Sequence, residues 1–332
     1  MIRFAIDFDS SYTNIYKLGS GLVLSEPSVA AVEEGDKVIV KAIGNEAYRL
    51  IGKTAKNTKI VFPVFEGEIV NERVATEVLR GFLKKVRTEK MEVSGALFSV
   101  PCGATYEMTE KFRAVAKNCG FAKIYFVESP ILSAIGQRIP LSDSKPCFVI
   151  DMAGGTTSIA AVTLDGVIAG ISVNFGGNRI SADVIDHIAE EYGLQVGLQT
   201  AERIRKEIGS LKDDDGLSTV VNGRDMNSGK PRSLSVRAMD LVKAVAKYYD
   251  KIAELAFELL KKLPPEVSAE IRQEGIYVSG ASSAVYGLEE YYADKFGMKV
   301  KASENGATDV ALGGGIVMGN ADLLKKVVLK TE

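Results

Sequence analysis

Residues 149–166, VIDMAGGTTSIAAVTLDG, decide the fold. An apolar strand runs into Asp151, breaks at a tip of Gly154, Gly155, Thr156 and Thr157, and returns as a second strand. Taken alone, the pattern demands no more than a tight hairpin. The amino terminus repeats the plan: residues 3–18, RFAIDFDSSYTNIYKL, give a strand, Asp7, a small polar turn with Ser10 and Ser11, and a strand returning from Tyr12. One device used twice, with its aspartates at 7 and 151, implies two similar halves facing each other across a cleft. Such turns aim backbone N–H groups and hydroxyls inward, as a phosphate needs, and each Asp can hold a divalent ion through its water shell. The pair reads as a nucleoside triphosphate site.

A third element lies at 275–297, GIYVSGASSAVYGLEEYYADKFG, where a strand meets a helix through a small-residue turn at 279–283. Such a turn leaves N–H groups free and lets a flat base or a phosphate approach. Around these three, β-branched and aromatic runs predict strands at 2–8, 12–18, 38–42, 95–100, 123–127, 146–151, 157–164, 167–173, 275–279 and 298–302. Apolar residues at three- and four-residue spacing predict helices at 71–87, 106–120, 180–193, 200–209, 236–263 and 288–297. The fold class is α/β, with hairpins as well as crossovers. The polar link PLSDSKP, 140–146, is the natural boundary between halves.

Composition limits what such a chain can do. Its 332 residues are 46% hydrophobic and 25% charged, ordinary for a globular protein of two domains. The net charge is −2 with no basic block, so the footprint of a nucleic-acid binder is missing. Three widely spaced cysteines and a single histidine, His187, supply neither a disulfide framework nor a zinc site. A reducing cytoplasm fits best. No stretch approaches the about 18 uncharged apolar residues of a spanning helix.

In their order along the chain, the two hairpins and the later turn resemble the phosphate-1, phosphate-2 and adenosine elements shared by actin, sugar kinases and heat-shock chaperones. Within that superfamily the chain resembles the MreB/Mbl family of bacterial actins nearly end to end. The stretches that carry this include EPSVAAVEEGDKVIVKAIGNEAYRLIGKT (26–54), FEGEIVNERVATEVLRGFLKKV (65–86), VPCGATYEMTEKFRAVAKNCGFAKIYFVESPILSAIG (100–136), VNGRDMNSGKPRSL (221–234) and KLPPEVSAEIRQEGIYVSG (262–280). The resemblance implies an actin-like, duplicated fold, with domain I at 1–143, domain II at 144–332 and the segment from about 306 packing back on domain I. It also implies ATP and Mg²⁺ in the cleft, head-to-tail filaments at the cytoplasmic membrane surface, and work with the cell-wall synthesis machinery in setting cell shape. No N-terminal amphipathic helix is expected. A weakly amphipathic tip at 86–95, with Met91 and Val93, is the remaining membrane contact.

Carried over residue by residue, the resemblance assigns metal-water contacts to Asp7 and Asp151, and phosphate contacts to Ser10, Ser11, Tyr12, Gly154, Gly155 and Thr156. It assigns ribose and adenine contacts to Glu202, Arg203, Ile204 and Arg205, and to Ala281, Ser282, Ser283 and Ala284. The family's first loop reads D-L-G-T-A-N, so Asp9 replaces a Gly and Tyr12 an Asn. In its second loop, D-I-G-G-G-T-T, Ala153 replaces the first Gly. The adenosine turn, T-G-G-G-A-L in the family, loses two glycines here. The Glu that orients water in actin-like ATPases falls at Ser129. Glu128 stands one residue upstream and points to the opposite side if the segment is extended. At most slow hydrolysis is expected. Two other readings fit the same features: a non-polymerising actin-fold adaptor with a degenerate nucleotide site, and a metabolite kinase for which no catalytic base is identifiable.

Overall fold

The computed structural model describes residues 4–33, 39–86, 95–212 and 216–330. The tip residues Met91 and Val93 lie outside them. Two five-stranded sheets dominate, and they have one topology. In the first, Phe4–Phe8 pairs antiparallel with Tyr12–Lys17, which pairs antiparallel with Gly21–Pro27. On its other edge Phe4–Phe8 runs parallel to Gly95–Val100, and that strand parallel to Lys123–Glu128. In the second, Cys147–Met152, Thr157–Thr163 and Gly166–Val173 form the antiparallel meander, and Ile276–Ser279 and Val300–Ala302 the parallel edge. Even the irregularity is duplicated: the register shifts between the second and third strands of each meander, opposite Ile15/Tyr16 and Ala161/Val162, where Val23 and Ile168 of the third strands are the extra residues. A bulge there increases the local twist and curls each sheet in the same sense.

The strands read as apolar runs because both faces are covered. Thr157–Thr163 is buried at every position, as a central strand between helical layers must be. The first sheet packs on the helices Glu72–Val86 and Tyr106–Asn118 through Phe4, Phe82, Phe98 and Phe112. The second packs on Gly177–Tyr192, Leu198–Ile208 and Ala238–Leu260 through Ile150, Ile159, Val184, Ile204 and Ile252. The long helix predicted at 236–263 spans Ala238–Leu260, and its apolar stripe packs in this core.

A third cluster joins the sheets. Ala5 and Leu97 from the first meet Val149 and Ala160 from the second, with Ile131, Leu132, Val310 and Val317 between. The last two pairs belong to the helices Ser129–Gly136 and Asp309–Gly319, which cross in close contact. At the crossing a Cβ on Gly313 would lie 1.9 Å from the Leu132 carbonyl oxygen, and one on Gly136 would lie 2.0 Å from that of Asp309. Here the two backbones touch. The predicted strands and helices all occur, with ends displaced by a few residues. Several further elements carried no clear periodicity, among them the Ser129–Gly136 and Asp309–Gly319 helices and the hairpin Ser218–Asp225/Pro231–Arg237.

Candidate functional site

The two hairpin tips face each other at the mouth between the sheets. Each is closed by the same backbone hydrogen bond: Asp9 N donates to the Tyr12 carbonyl at 3.2 Å, and Ala153 N to that of Thr156 at 3.0 Å. The tips then interlock. Gly154 meets the first loop so closely that a Cβ there would lie 1.9 Å from the Ser11 hydroxyl, and Gly155 packs on Ser10. Ser11 Oγ donates to Asn178 Oδ1 at 2.7 Å, and Gly154 N donates to Asp9 Oδ2 at 3.0 Å. Glycine at 154 is therefore a requirement of the approach between halves.

Between the tips lies a cavity of about 390 Å³, lined by Asp7, Ser11, Tyr12, Asp151, Gly154, Thr156, Ala281 and Ala284. A second of about 210 Å³ adjoins it and adds Ser10, Asn178, Glu202, Arg205 and Ser282. The third turn is a single 3-10 turn, Ala281–Ala284, between the strand Ile276–Ser279 and the helix Leu288–Phe296. Gly280 opens it at φ 86°, with its α-carbon against the Met152 backbone, a conformation other residues rarely adopt. The structure thus brings most of the expected residues together, though not all of them. Ser283 turns back and donates to the Gly280 carbonyl at 2.8 Å. Ile204 is fully buried in the core, and Arg203 turns outward to Glu207 and to the Val220 carbonyl at 2.9 Å. The helical period explains this: positions 202 and 205 share one face while 203 and 204 rotate off it.

The floor is acidic and buried. Asp7 accepts from Ser99 Oγ at 2.7 Å and Asn14 Nδ2 at 3.3 Å, yet burial and the charge of Asp9 push its carboxyl up to about 6. Burial pushes Asp151 up to about 7, against the lowering effect of a hydrogen bond from Ser129, and the charges of Asp7, Asp9 and Asp309 add to the rise. Desolvation disfavours the charged form of each acid. Asp151 Oδ1 has no hydrogen-bond partner among the described residues.

At 128–129 a helix starts, so the two residues do not form one extended segment. Glu128 is the N-cap, in extended conformation, and Ser129 the first helical residue, with Pro130 fixing the first turn. Ser129 lines the cavity. Glu128 does not line the cavity and accepts from Gly103 N at 2.6 Å, so the structure does not bring this carboxylate together with the other expected site residues.

Residues that the sequence reading missed complete the site. Lys206 lines both cavities and lies over the Tyr12 ring at 5.4 Å. It follows Glu202 by four residues, the other same-face spacing of a helix, and this was the available signal. Tyr48, from the first half, donates to Glu202 Oε2, and Gln199 Nε2 donates to the Tyr48 carbonyl, so the upper rim is bridged by direct contacts. No local pattern marked Tyr48, because its partner is 154 residues away.

Comparison with known proteins agrees with this architecture. The family model described as MreB/Mbl protein matches residues 1–326. The chain is 32% identical over 325 residues to the cell shape-determining protein MreB of Escherichia coli (strain K12), covering 96% of this chain and 94% of that one. It is 29% identical over 323 residues to the cell shape-determining protein Mbl of Bacillus subtilis (strain 168), covering 97% of each. The crystal structure of MreB 5 of Spiroplasma citri bound to AMPPNP superposes with a TM-score of 0.90 at 27% identity, covering 97% of each chain. The MamK double helical filament shares the fold, with a TM-score of 0.81 at 20% identity, covering 96% of this chain and 99% of that one. Twin sheets of one topology, interlocked phosphate-type loops and near-complete coverage in both directions lead to one assignment: the chain belongs to the MreB/Mbl family and has its actin-like fold.

Proposed function

We propose that the chain binds ATP with Mg²⁺ between its two halves and polymerises head to tail into filaments that organise cell-wall synthesis and rod shape at the cytoplasmic membrane surface. The observation that carries this reading is the pair of equivalent loops meeting over the 390 Å³ cavity. Relatives named as cell shape-determining proteins, and a structural neighbour solved with ADP and with AMPPNP, support it. The corresponding division is domain I at 1–143 and domain II at 144–332, with the segment from about 306 returning to domain I.

The donor set suits the nucleotide. Amides of Ser11 and Gly154 and the hydroxyls of Ser10, Ser11 and Thr156 would face the phosphates, Lys206 would offset their charge, and Glu202 and Arg205 would reach the ribose. The orphaned Asp151 Oδ1 is a buried oxygen that suits a cation or a metal-bound water. Among the described residues no three acidic, His or Cys side chains converge closely enough to ligate an ion directly. Mg²⁺ would therefore be held through water by Asp7 and Asp151, and would supply charge neutralisation for the phosphates. Ser129 at the cavity wall can hydrogen-bond a water but carries no charge, which fits slow turnover at most.

Calorimetric titration with ATP, with and without Mg²⁺, tests the site. Metal-dependent affinity should be lost in Asp151→Ala, and equal affinity in parent and variant would displace the site. Nucleotide-dependent pelleting, checked by electron microscopy, tests the filament. The second reading, a non-polymerising adaptor, is favoured by one observation, the Asp9 carboxylate seated against Gly154, and a chain that stays monomeric with ATP and on anionic lipid would establish it.

A further inference from the structure

Asp9 occupies a place that the duplicated plan leaves neutral. The matched closing bonds of the two tips set Asp9 against Ala153, a carboxylate in one loop against a methyl in the other. One oxygen, Oδ2, accepts from Gly154 N at 3.0 Å in the opposing loop and from Ser11 N at 3.4 Å in its own. Amides converging from two loops on one oxygen form an anion cradle. We propose that Asp9 is a tethered occupant of this cradle: its carboxylate takes amides that a nucleotide's phosphate requires, draws the two loops together in the ligand-free chain, and must be displaced when a polyphosphate binds.

This rests on the nucleotide reading above and deepens it, because it names the residue that sets both affinity and preference for phosphate-chain length. A displaced Asp9 stays tethered beside the cradle, where its charge opposes that of the ligand. Like charges within about 4–6 Å shift an equilibrium by roughly 10- to 1,000-fold. ATP, with one more phosphate than ADP, meets the greater opposition. Lys206 is a cation that lines both cavities, and it stacks on Tyr12 at the end of Asp9's own loop. It can offset part of the penalty for either nucleotide.

The test is calorimetric titration of the full chain with Mg-ADP, Mg-ATP and Mg-tripolyphosphate, on the parent, Asp9→Asn and Asp9→Gly. Asn keeps the shape and an acceptor for Gly154 N without the charge, so the fold is retained. Both variants should bind ATP and tripolyphosphate about tenfold or more tighter than the parent, with a smaller gain for ADP. Affinities unchanged within about twofold, or weaker binding in Asp9→Asn, would overturn the proposal. Gain for tripolyphosphate without binding of either nucleotide by any form would keep the role of Asp9 and remove the nucleotide reading, whereas no binding of any probe by any form would remove both. Hydrogen exchange gives a ligand-free readout: the Gly154 amide should exchange faster in Asp9→Gly than in the parent, and equal protection would show that Asp9 does not hold the cradle.

Discussion

Asp151 shows what the cleft costs the empty protein. Its carboxyl, ordinarily at 3.8, is pushed to about 7 by burial and by neighbouring acids. The folded chain therefore holds a proton here that the unfolded chain has released. The group's stabilising contribution is complete below pH 3.8 and is lost as pH rises through about 7. In ligand-free protein, Asp151→Asn should remove this loss: against the parent, the variant should gain on the order of a few kcal/mol between pH 5 and pH 8. Urea denaturation at the two pH values checks it, and parallel profiles would show that Asp151 is not titrating in that window. Asp7, Asp9 and Asp309 face the same region, so part of the parent's own slope survives the substitution. Residue-scale features of this kind were legible only in part. Asp7 and Asp151 stood out in the sequence as strand ends before small-residue turns, whereas Asp309 did not, and the proton affinity of all of them depends on what buries them, which is long-range information.

The helix pair Ser129–Gly136 and Asp309–Gly319 is the tightest joint in the molecule and the element the sequence hid best. Residues 313–315 are three consecutive glycines, each costing about 1 kcal/mol of helix propensity against Ala. Local reasoning discounts such a helix. Tertiary contact reverses the judgement, because Gly313 lies against the Leu132 backbone, Gly314 against Ala5 and Gly315 against the Tyr16 ring. Gly313→Ala should accordingly cost about 1–3 kcal/mol or more through overpacking. Gly319→Ala, with nothing within 4 Å of the added carbon, should cost nothing and stabilise by up to about 1 kcal/mol through helix propensity. Equal denaturation midpoints for the two variants would show that the helices can separate without penalty. The strands and the amphipathic helices, by contrast, were readable because their own periodicity determines which face is buried. The Ser218–Asp225/Pro231–Arg237 hairpin was not, since it is largely exposed and has no consistent apolar alternation.

At the scale of the whole molecule, the two halves form one device through contacts at three levels: the joint at the base, the interlocked tips in the middle, and the Tyr48–Glu202 bridge at the rim. The rim contact pairs a hydroxyl with a carboxylate, a class of hydrogen bond worth about 1.5–3 kcal/mol. On the nucleotide reading, Tyr48→Phe should raise the release rate of a fluorescent ATP analogue by about threefold or more in stopped-flow displacement. An unchanged rate would mean that the rim does not gate exit. The duplication was visible in the sequence as two Asp-turn hairpins, but the closing of the rim was not, because neither Tyr48 nor Gln199 belongs to a recurring pattern. The return of the C-terminal segment has a further consequence. Helix Asp309–Gly319 covers Ala5 and Leu97, and Leu329 N donates to the Phe126 carbonyl at 2.8 Å, so residues synthesised long afterwards cover a sheet whose strands all lie at or before residue 128. A nascent chain thus carries that sheet without its Asp309–Gly319 cover until the second half has been made. The half made first waits on residues from the half made later, and its exposed seam is what a chaperone at the exit tunnel would meet.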